Sequence, residues 1–391
     1  MNPIQHYPMF FDDFHGRLYE RAQEVARERI RPIEEQETAR SEDIQALAFA
    51  GVIGESGLAR HAIAKEYGGI RETVDMRSIC LIRESLASAS GFADSMFAMQ
   101  GLGSYPITLA GSEEQKSFWL PQVANAERLC AFALTEKNAG SDVVAMATTA
   151  ERRGNEYILN GSKRYITNAG VAGSYVVFAK TDMEAGHRGI SAFIVTPEDR
   201  GFEVASRQRV TAPHPIGELA FEDCVIPADR RLGLEGDGFK IAMGTLDRFR
   251  PTVGAAGLGL GFRALEEALK HTQSRLQFGS PLFSLQAVQM QIAQGAADLE
   301  AARLLVYNAA WQADNGADRI TLEAAMAKLN ATEAAFRMID SCVQVHGGAG
   351  VLVGEVPERL YREVRALRIY EGASDVQKLV IAKNLSRIWE E

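Results

Sequence analysis

One acidic side chain stands where the sequence predicts a corner between two helices. A helical pattern of basic and apolar residues leads up to Tyr370, and a second amphipathic helix is predicted over residues 374–389. Glu371 and Gly372 lie between the two helices. In such a corner a carboxylate can point into a cavity and act as a general base. It can also be an ordinary acid beside the start of the next helix, where negative charge is favoured, and these residues alone favour that capping role.

Two further segments carry groups that suit a flat polar ring or a phosphate. In residues 134–142 an apolar strand is followed by a polar loop, whose hydroxyl and backbone N–H groups can donate hydrogen bonds. In the other segment, Tyr165 and Thr167 are two residues apart on a predicted strand. They therefore share one face, where they could pack on a flavin-like ring. Taken singly, each segment is more often an ordinary strand-end loop or hairpin.

Glycine-rich stretches form a third group of candidates. Residues 259–264 match G-x-G-x-x-A, but no strand precedes them and no acidic residue follows at the offset that a ribose contact needs, which excludes a dinucleotide fingerprint. Their small side chains predict a helix that another helix or a ligand approaches closely. The glycines of residues 344–350 can end a helix or admit a ligand. Arg275, before a Gly–Pro turn, can reach a phosphate or its own helix C-terminus.

Composition narrows the class of protein. The chain has 391 residues, of which 46% are hydrophobic, so it can bury a large core. Its net charge of −9 argues against a nucleic-acid partner, which would favour clustered lysine and arginine. The four cysteines lie far apart, so we expect neither a disulfide framework nor a metal site. The first residues lack a signal-peptide pattern and no apolar run is long enough for a membrane span, which predicts a bacterial cytoplasmic protein.

The secondary-structure pattern changes twice along the chain. Residues 10–127 carry helical periodicity, short strand-like segments occupy residues 129–225, and long Ala- and Leu-rich helices begin again at residue 239. We expect the first long helix to end at Pro32 and a later one to end at Pro121. The order predicts a mainly α, multidomain α+β fold. Its parts are a helical domain (residues 1–127), an antiparallel barrel or sandwich (128–237) and a helical bundle (238–391).

The order and spacing of these motifs are more specific than any one of them. Five segments match, in sequence order, the signatures of a single family: residues 133–136 with 139–142, 165–168, 275–286, 344–350 and 369–372. Over essentially its full length the chain resembles the acyl-CoA dehydrogenase family. Within that family it resembles the short- and medium-chain members, which use a glutamate as base.

The resemblance implies both a fold and a cofactor. The fold would comprise an N-terminal helical domain, a middle antiparallel β-barrel and a C-terminal four-helix bundle. The cofactor would be noncovalent FAD, with Thr135 on the pyrimidine side of the flavin, Tyr165 against the ring and Thr167 near N5. The residues implied to contact FAD from the strand region are Phe132, Leu134, Thr135, Gly140, Ser141, Tyr165, Ile166 and Thr167. From the C-terminal region they are Arg275, Gln277, Phe278, Gln286, Gln344, Val345, His346, Gly347, Gly348, Ala373 and Asp375.

The resemblance also implies an assembly and a reaction. Residues 275–286 and 344–348 would contact the FAD of a neighbouring subunit, which implies a homotetramer built as a dimer of dimers. The reaction would be α,β-dehydrogenation of an acyl-CoA to the 2,3-enoyl-CoA, with an electron-transferring flavoprotein as acceptor. Glu371 would take the α-proton, flavin N5 would receive the β-hydride, and the Glu371 N–H would help to stabilise the enolate. The residues implied to bind substrate are Ser141, Asp247, Arg250, Tyr370 and Gly372.

Three positions bear on the branch of the family. Some members carry the base at the position of Phe249, which cannot accept a proton, so Glu371 is favoured. Residues 91–97 lack the arginine with which glutaryl-CoA dehydrogenases bind a distal carboxylate, which disfavours oxidative decarboxylation. Ala373 replaces the usual threonine and removes one hydroxyl contact to FAD.

Two other classes of function stay open on the same fold. One is an acyl-CoA oxidase, a reductase, or a dehydrogenase of a carrier-protein-bound or cyclic acyl thioester. The other is a non-catalytic flavin-binding homologue, which the intact Glu371 disfavours.

Overall fold

The computed structural model of the chain describes residues 2–36 and 41–390. Helices occupy the N-terminal part, a sheet the middle, and helices the C-terminal part. The helices before the sheet are α1 (Pro3–His6), α2 (Asp13–Val25), α3 (Arg31–Glu35), α4 (Glu42–Glu55), α5 (Met76–Ala89), α6 (Gly91–Ala110) and α7 (Glu113–Ala124). Those after it are α8 (Gly238–Ser274), α9 (Gln286–Asp314), α10 (Thr321–His346), α11 (Val356–Leu367) and α12 (Ser374–Glu390). No helix within the described ranges is long and apolar enough to cross a membrane.

The strands form one large sheet and one small hairpin. The strands of the sheet are β1 (Cys130–Ala133), β2 (Thr149–Arg153), β3 (Glu156–Thr167), β4 (Ser174–Lys180), β5 (Ile190–Val195), β6 (Phe202–Arg207), β7 (Ile216–Pro227) and β8 (Arg231–Leu232). The hairpin pairs β9 (Leu276–Gln277) with β10 (Ser280–Pro281).

Two predicted helix ends are wrong, and both involve proline. After α2 the chain forms a π turn over Ala26–Ile30 and then continues as α3, which contains Pro32. Pro32 directly follows the π turn, in which the Arg31 N–H bonds to the Ala26 carbonyl oxygen five residues back, so the helix continues past the proline with a locally altered hydrogen-bond pattern. Pro121 lies inside the last turn of α7, which ends at Ala124. In both cases the restriction that proline places on the preceding residue is overridden within a single turn.

The sheet has the order β6-β7-β3-β2-β4-β5-β8, and β1 pairs with β4. Most neighbours are antiparallel, as expected, but β4 pairs in parallel with two strands: with β1, where Phe132 lies opposite Val176, and with β2, where Lys180 lies opposite Thr149. The purely antiparallel prediction is therefore wrong at β4, because the β2–β3 hairpin lies between β1 and β4 in sequence and β4 returns in the direction of β1. Every residue of β5 is buried, as are all but the last of β4, so both faces of these strands are covered. Closure of the sheet into a barrel stays a prediction.

The chain separates into two compact units. The first unit comprises Met1–Glu35, Met76–Asp94 and Asp247–Glu391, and the second comprises Gln36–Asp75 and Ser95–Leu246. In the second unit, alternate residues of the strands form an apolar core, in which the Tyr157 and Phe193 rings lie 4.8 Å apart. The division into domains at residues 127 and 237, and the four-helix arrangement of the last of them, stay predictions.

Helix α8 owes its packing in the first unit to glycines. A Cβ at Gly259 would stand 2.3 Å from the Glu84 carbonyl oxygen of α5, and one at Gly261 would stand 2.6 Å from the Leu299 side chain of α9. A Cβ at Gly254 would stand 2.8 Å from Val306. The prediction that this glycine run serves close helix approach is confirmed. Because these contacts fix α8 against α5 and α9, they also fix the functional groups near its beginning.

Candidate active site

The corner that carries Glu371 has a strained backbone. Helix α11 ends at Leu367, and Glu371 and Gly372 both adopt left-handed conformations, with φ of +52° and +97°. Glycine adopts this region freely, whereas a residue with a Cβ incurs a cost of about 1 kcal/mol or more there. The Ser374 backbone N–H then closes the corner by donating to the Arg368 carbonyl oxygen at 3.0 Å. The chain therefore turns within a few residues and presents Glu371 at the apex.

One carboxylate of helix α10 braces the corner from the side. Glu333 accepts hydrogen bonds at Oε1 from Arg368 Nε, at 2.8 Å, and from Ser374 Oγ, at 2.6 Å. These two residues flank the turn, one before Glu371 and one after it. The Glu333 pKa is lowered, because the Arg368 and Ser374 hydrogen bonds outweigh the opposing effect of burial. Glu333 therefore stays ionised and keeps both sides of the turn together.

Two cationic side chains hold the backbone at the apex. Arg250 Nε of α8 donates to the Glu371 carbonyl oxygen at 3.3 Å, and Lys328 Nζ of α10 donates to the Gly372 carbonyl oxygen at 2.9 Å. Gln377 Nε2 donates to the same Gly372 oxygen at 3.1 Å. Desolvation lowers the Lys328 pKa to about 8, with the Glu371 charge acting in the opposite direction. Glu371 is thus positioned through its main chain.

The Glu371 carboxyl group has no such restraint. Its Oε2 atom is buried and has no hydrogen-bond partner among the described residues. Burial raises the pKa of Glu371 to about 7, against the lowering influence of the Arg83, Lys328 and Arg250 charges. A buried polar atom without a partner is uncommon in native proteins and calls for an explanation. A free carboxyl group that titrates near neutral pH can accept a proton from a bound molecule.

Asp247 and Arg250 are linked to each other and to the corner. Arg250 Nη1 donates to Asp247 Oδ1, and the other Asp247 oxygen accepts from Thr321 Oγ1 at 2.6 Å. Both residues lie on the first turns of α8 that belong to the first unit. Phe249, between them in sequence, is buried and only 1% exposed. The structure thus brings together four predicted site residues, Asp247, Arg250, Glu371 and Gly372.

The remaining predicted residues at this corner differ in exposure. Tyr370 keeps 38% of its surface exposed. Ala373 is partly buried, and its carbonyl oxygen accepts the Gln377 N–H at 2.9 Å. Asp375 is exposed in the first turn of α12, with its carboxylate 3.5 Å from Lys378 Nζ. Among the described residues, the Asp375 carboxylate pairs with Lys378 and not with a group at the Glu371 corner.

Sequence reasoning missed a buried ion pair that acts on Glu371. Arg83 of α5 donates from Nε and Nη2 to the two oxygens of Asp94 on α6, at 2.8 and 2.7 Å. Arg83 Nη1 donates to Thr252 Oγ1 at 2.9 Å. The available signal was the charged pair Arg83–Glu84, which directly follows the apolar run of residues 79–82 within α5. Nothing in the spacing identified Asp94 as its partner.

In the second unit, the predicted flavin contacts lie on two segments that are joined to each other. The Arg164 backbone N–H donates to the Thr135 carbonyl oxygen at 2.8 Å, which brings the loop after β1 alongside β3. Tyr165 is 56% exposed with φ of +57°, Ile166 is buried and Thr167 is partly buried. A bulge lies in β3 between Lys163 and Ile166, so the simple alternation expected for Tyr165 and Thr167 is interrupted there.

A second buried ion pair, also missed by sequence reasoning, fixes this loop. Lys163 Nζ lies 2.7 Å from Glu136 Oε1 and donates to the Leu134 carbonyl oxygen at 3.3 Å. Glu136 also accepts from the Thr148 hydroxyl at 2.6 Å and from the Ala147 N–H at 2.6 Å. The pair lies beneath the surface segment that carries Thr135 and Tyr165, and it holds the loop against β3.

Phe132, Gly140 and Ser141 complete the predicted set in this unit. The Phe132 ring lies 4.9 Å from the Phe178 ring. A tight turn joins Glu136 and Ala139, whose backbones exchange hydrogen bonds at 3.0 and 3.3 Å. Gly140 and Ser141 follow this turn and are exposed.

The last predicted group lies at the C-terminal ends of α8 and α10 in the first unit. Phe278 and Gly279, with φ of +53° and +82°, form the two-residue turn of the β9–β10 hairpin, and Phe278 is 94% exposed. His346 stacks on His271, with ring centroids 4.1 Å apart. The stack therefore joins the end of α8, which precedes Arg275, to the end of α10, which precedes Gly347 and Gly348. The predicted residues at these ends are Arg275, Gln277, Phe278, Gln286, Gln344, Val345, His346, Gly347 and Gly348.

Comparison with known proteins identifies the family of the chain. Three family models match: "Acyl-CoA dehydrogenase, N-terminal domain" over residues 12–127, its middle domain over 131–224 and its C-terminal domain over 236–386. A probable acyl-CoA dehydrogenase of Mycobacterium bovis is 39% identical over 86% of this chain and 86% of its own length. A 3-(aryl)acrylate reductase of Clostridium sporogenes is 38% identical over 96% of this chain and 100% of its own length.

A solved structure gives the same result for the fold. Butyryl-CoA dehydrogenase from Megasphaera elsdenii superimposes with a TM-score of 0.90 at 33% identity, over 96% of this chain and 98% of that one. Because the three family models cover most of the chain and relatives at this level of identity match most of its length, the resemblance inferred from the motifs is confirmed. The chain belongs to the acyl-CoA dehydrogenase family, whose members are FAD-dependent oxidoreductases acting on CH–CH groups.

Proposed function

We propose that this chain converts an acyl-CoA thioester to the 2,3-enoyl-CoA, with Glu371 as the base that removes the α-proton. The observation that carries the proposal is the Glu371 carboxyl group, whose buried Oε2 has no partner within the described residues. Burial raises its pKa to about 7, so a large fraction is ionised at neutral pH yet basic enough to accept a proton. The carboxylate is free to act because the main chain, through Arg250 and Lys328, bears the positioning contacts.

Enolate stabilisation is the second requirement of such a reaction. Removal of an α-proton places negative charge on the thioester oxygen, which needs a donor in a fixed position. The Glu371 backbone N–H donates to no group in the described part of the chain, and the corner fixes its direction. We assign this N–H to the thioester oxygen. The Asp247–Arg250 pair and Gly372 hold the corner, and Tyr370 borders it. Ser141, on an exposed loop, is also proposed to bind substrate.

The residues present fit FAD. Tyr165 offers an exposed aromatic face, Thr135 and Thr167 offer hydroxyl groups nearby, and Gly347 and Gly348 have open space where a side chain would stand. Phe132, Leu134, Gly140 and Ile166 would complete the surface that holds the ring. When bound, FAD supplies the oxidant that accepts hydride from the β-carbon.

Helix α8 supports the proposal that subunits share the cofactor. Arg250 and Arg275 are 25 residues apart along it, which is ~37 Å at the ~1.5 Å rise of an α-helix. The Glu371 corner and the exposed hairpin therefore lie at opposite ends of α8, which favours contact of Arg275, Gln277, Phe278 and Gln286 with the FAD of another copy. In line with the family resemblance, we also propose a homotetramer, an electron-transferring flavoprotein as electron acceptor and a cytoplasmic location.

The test is anaerobic bleaching of the purified yellow protein by butyryl-, octanoyl- and 3-phenylpropanoyl-CoA. We expect at least one to reduce the flavin. Glu371→Gln should retain FAD and lose reduction by at least about a thousandfold, because an amide cannot accept the α-proton. Glu20→Gln, which alters an exposed acid on α2, is the matched control and should bleach at the wild-type rate. Turnover by Glu371→Gln would reject the base assignment, and absence of bleaching with all three thioesters would reject the dehydrogenase.

A reductase is the second candidate, favoured by the full-length similarity to the 3-(aryl)acrylate reductase. Dithionite-reduced enzyme mixed anaerobically with cinnamoyl-CoA separates the two directions. Reoxidation by cinnamoyl-CoA that is much faster than bleaching by any saturated thioester would favour the reductase. Rapid reoxidation by oxygen with release of peroxide would instead favour an oxidase.

A further inference from the structure

The Arg83–Asp94 ion pair is among the most deeply buried charge pairs of the first unit. The side chains are 2% and 4% exposed, and both Asp94 oxygens accept hydrogen bonds from the guanidinium. Replacing a buried pair with apolar residues is often neutral or stabilising, whereas removing one partner is costly. The presence of the pair is therefore poorly explained by stability alone.

The guanidinium end of the pair is the end that is linked to the Glu371 corner. Its guanidinium end bonds to Thr252 of α8, two residues beyond Arg250, which holds the Glu371 carbonyl oxygen. The Arg83 charge is the largest one that lowers the Glu371 pKa, and the Asp94 charge, which raises it, is the weakest of those identified. The Arg83 side chain also hydrogen-bonds to the side chain of Tyr370, the residue before Glu371, so the guanidinium end of the pair is the end that meets the corner.

Other charged groups also face the carboxyl group, from each element packed against it. They are Arg250 on α8 and Lys328 on α10, both of which lower the Glu371 pKa. The neighbouring phenol of Tyr370 is kept neutral, since burial raises its pKa more than the Arg83 charge lowers it. Arg250 and Lys328 make direct main-chain contacts at the corner, so they cannot be altered without moving it. Arg83 and Asp94 make no main-chain contact there, and Arg83 reaches only the Tyr370 side chain, so their charges can be changed while the main-chain contacts of Glu371 and Gly372 stay in place.

We propose that Arg83 is a positioning residue for the proton-transfer chemistry of Glu371, with Asp94 as the counter-ion that orients it. Its charge, held in place by Asp94 and Thr252, favours the ionised form of the carboxyl group that removes the proton. Without Arg83 the desolvated corner favours the protonated, inactive form. The inference rests on the proposed role of Glu371 as the base.

The Arg83 and Asp94 charges act on the Glu371 pKa in opposite directions, so removing one or the other should shift that pKa in opposite directions. This difference separates the proposed role from a purely structural one. Arg83→Met removes a positive charge, so the pH at which Glu371 ionises should move upward by about one pH unit. Asp94→Asn leaves the positive charge uncompensated, so that pH should move downward. A pair that served only to hold α5 against α6 would give similar defects in both variants and no shift of opposite sign.

Two measurements on the FAD-loaded protein follow the ionisation. One is the pH dependence of the bleaching rate with subsaturating butyryl-CoA, which should increase through a midpoint near pH 7 in the wild type. The other is the infrared band of the protonated Glu371 carboxyl group, identified by its disappearance in Glu371→Gln. Because the infrared midpoint needs no turnover, it tests the inference even if no thioester bleaches the flavin. In that case the proposed function fails and the inference about Arg83 is judged separately.

The matched control is a second buried ion pair that begins one residue further along α5. Glu84 accepts from Arg303 and from Tyr307, and it is not among the charges that act on Glu371. Glu84→Gln should leave both midpoints unchanged. Shifts of the same sign in Arg83→Met and Asp94→Asn, or none in either, would overturn the proposal. If a single variant does not fold, the Arg83→Met/Asp94→Leu protein should still show an upward shift, because the Arg83 effect outweighs that of Asp94, and an unchanged midpoint would overturn it.

Discussion

Glu371 combines a fixed main chain with an unpaired side chain. Its carbonyl oxygen and that of Gly372 accept hydrogen bonds from cationic residues of two different helices, while the Oε2 atom accepts none from the described residues. A hydrogen-bonded carboxylate would be a weaker base, because donors stabilise its charged form. Positioning the residue through its backbone therefore fixes the geometry without lowering the basicity.

Gly372, the residue after Glu371, determines which substitutions this corner tolerates. A Cβ at Gly372 would stand 2.1 Å from Gln377 Nε2, the atom that holds the Gly372 carbonyl oxygen, and φ there is +97°. Gly354 has a similar φ of +95° but open space around it. Both Gly→Ala changes carry a conformational cost of about 1 kcal/mol, and only Gly372→Ala also displaces Gln377.

We therefore expect Gly372→Ala to lower kcat at least tenfold and to unfold at lower urea than Gly354→Ala. Gly354→Ala should lose stability alone, with kcat unchanged. Bleaching rates and urea titrations of the two FAD-loaded variants measure the difference. Equal activity in both would mean that the Gln377 contact does not position Glu371.

At the scale of the elements, α8 both packs closely against other helices and carries residues linked to the Glu371 corner. Its glycines set the distances to α5 and α9, and the same helix carries Asp247, Arg250 and Thr252. A displacement of α8 from α5 would separate Thr252 from Arg83 and Arg250 from the corner. Stability and catalysis should therefore respond together to changes in this interface.

Gly259→Ala tests the interface, because the added Cβ would meet a backbone oxygen that cannot rotate away. The overpacking should lower the free energy of unfolding by about 1–3 kcal/mol. Gly51 lies within α4 with nothing near its Cβ position. Gly51→Ala should stabilise by up to about 1 kcal/mol, since alanine is the better helix former. Chemical denaturation followed by circular dichroism compares them, and a Gly259→Ala protein as stable as the wild type would contradict the packing argument.

Local patterns predicted part of this arrangement. Helical and strand periodicity identified the order of elements, and motif spacing identified residues 133–142 and 369–372 as candidates. The ion pairs of Arg83 with Asp94 and of Lys163 with Glu136 join positions 11 and 27 residues apart, and no local signal links such positions. The helical turns that contain Pro32 and Pro121 were missed for the same reason, because the surrounding packing overrides a local preference.

At the scale of the whole molecule, the exposed hairpin is one of the apolar surfaces that a second copy of the chain could cover. Phe278 is 94% exposed at the tip of the β9–β10 turn. A large aromatic side chain fully in water gains free energy when another surface covers it. This exposure is consistent with the proposal that the hairpin contacts FAD in another copy of the chain.

Phe278→Ser should therefore weaken both assembly and FAD retention. We expect light scattering to show dissociation below the tetramer at protein concentrations where the wild type stays assembled, with at least tenfold weaker FAD binding. Phe118 is also exposed, at 60%, on α7 of the other unit. Phe118→Ser is the control and should leave both properties intact. A Phe278→Ser protein that keeps its mass and its FAD would exclude the hairpin from the interface.

The left-handed conformation of Glu371 has a consequence for how this position can vary. The backbone there favours glycine, and the desolvated carboxyl group is costly to ionise, so the fold alone would be more stable with a smaller, neutral residue. Position 371 is thus a point of trade-off between stability and activity. A search for thermostable variants made without an activity screen would be expected to replace Glu371, the proposed base, among its first gains.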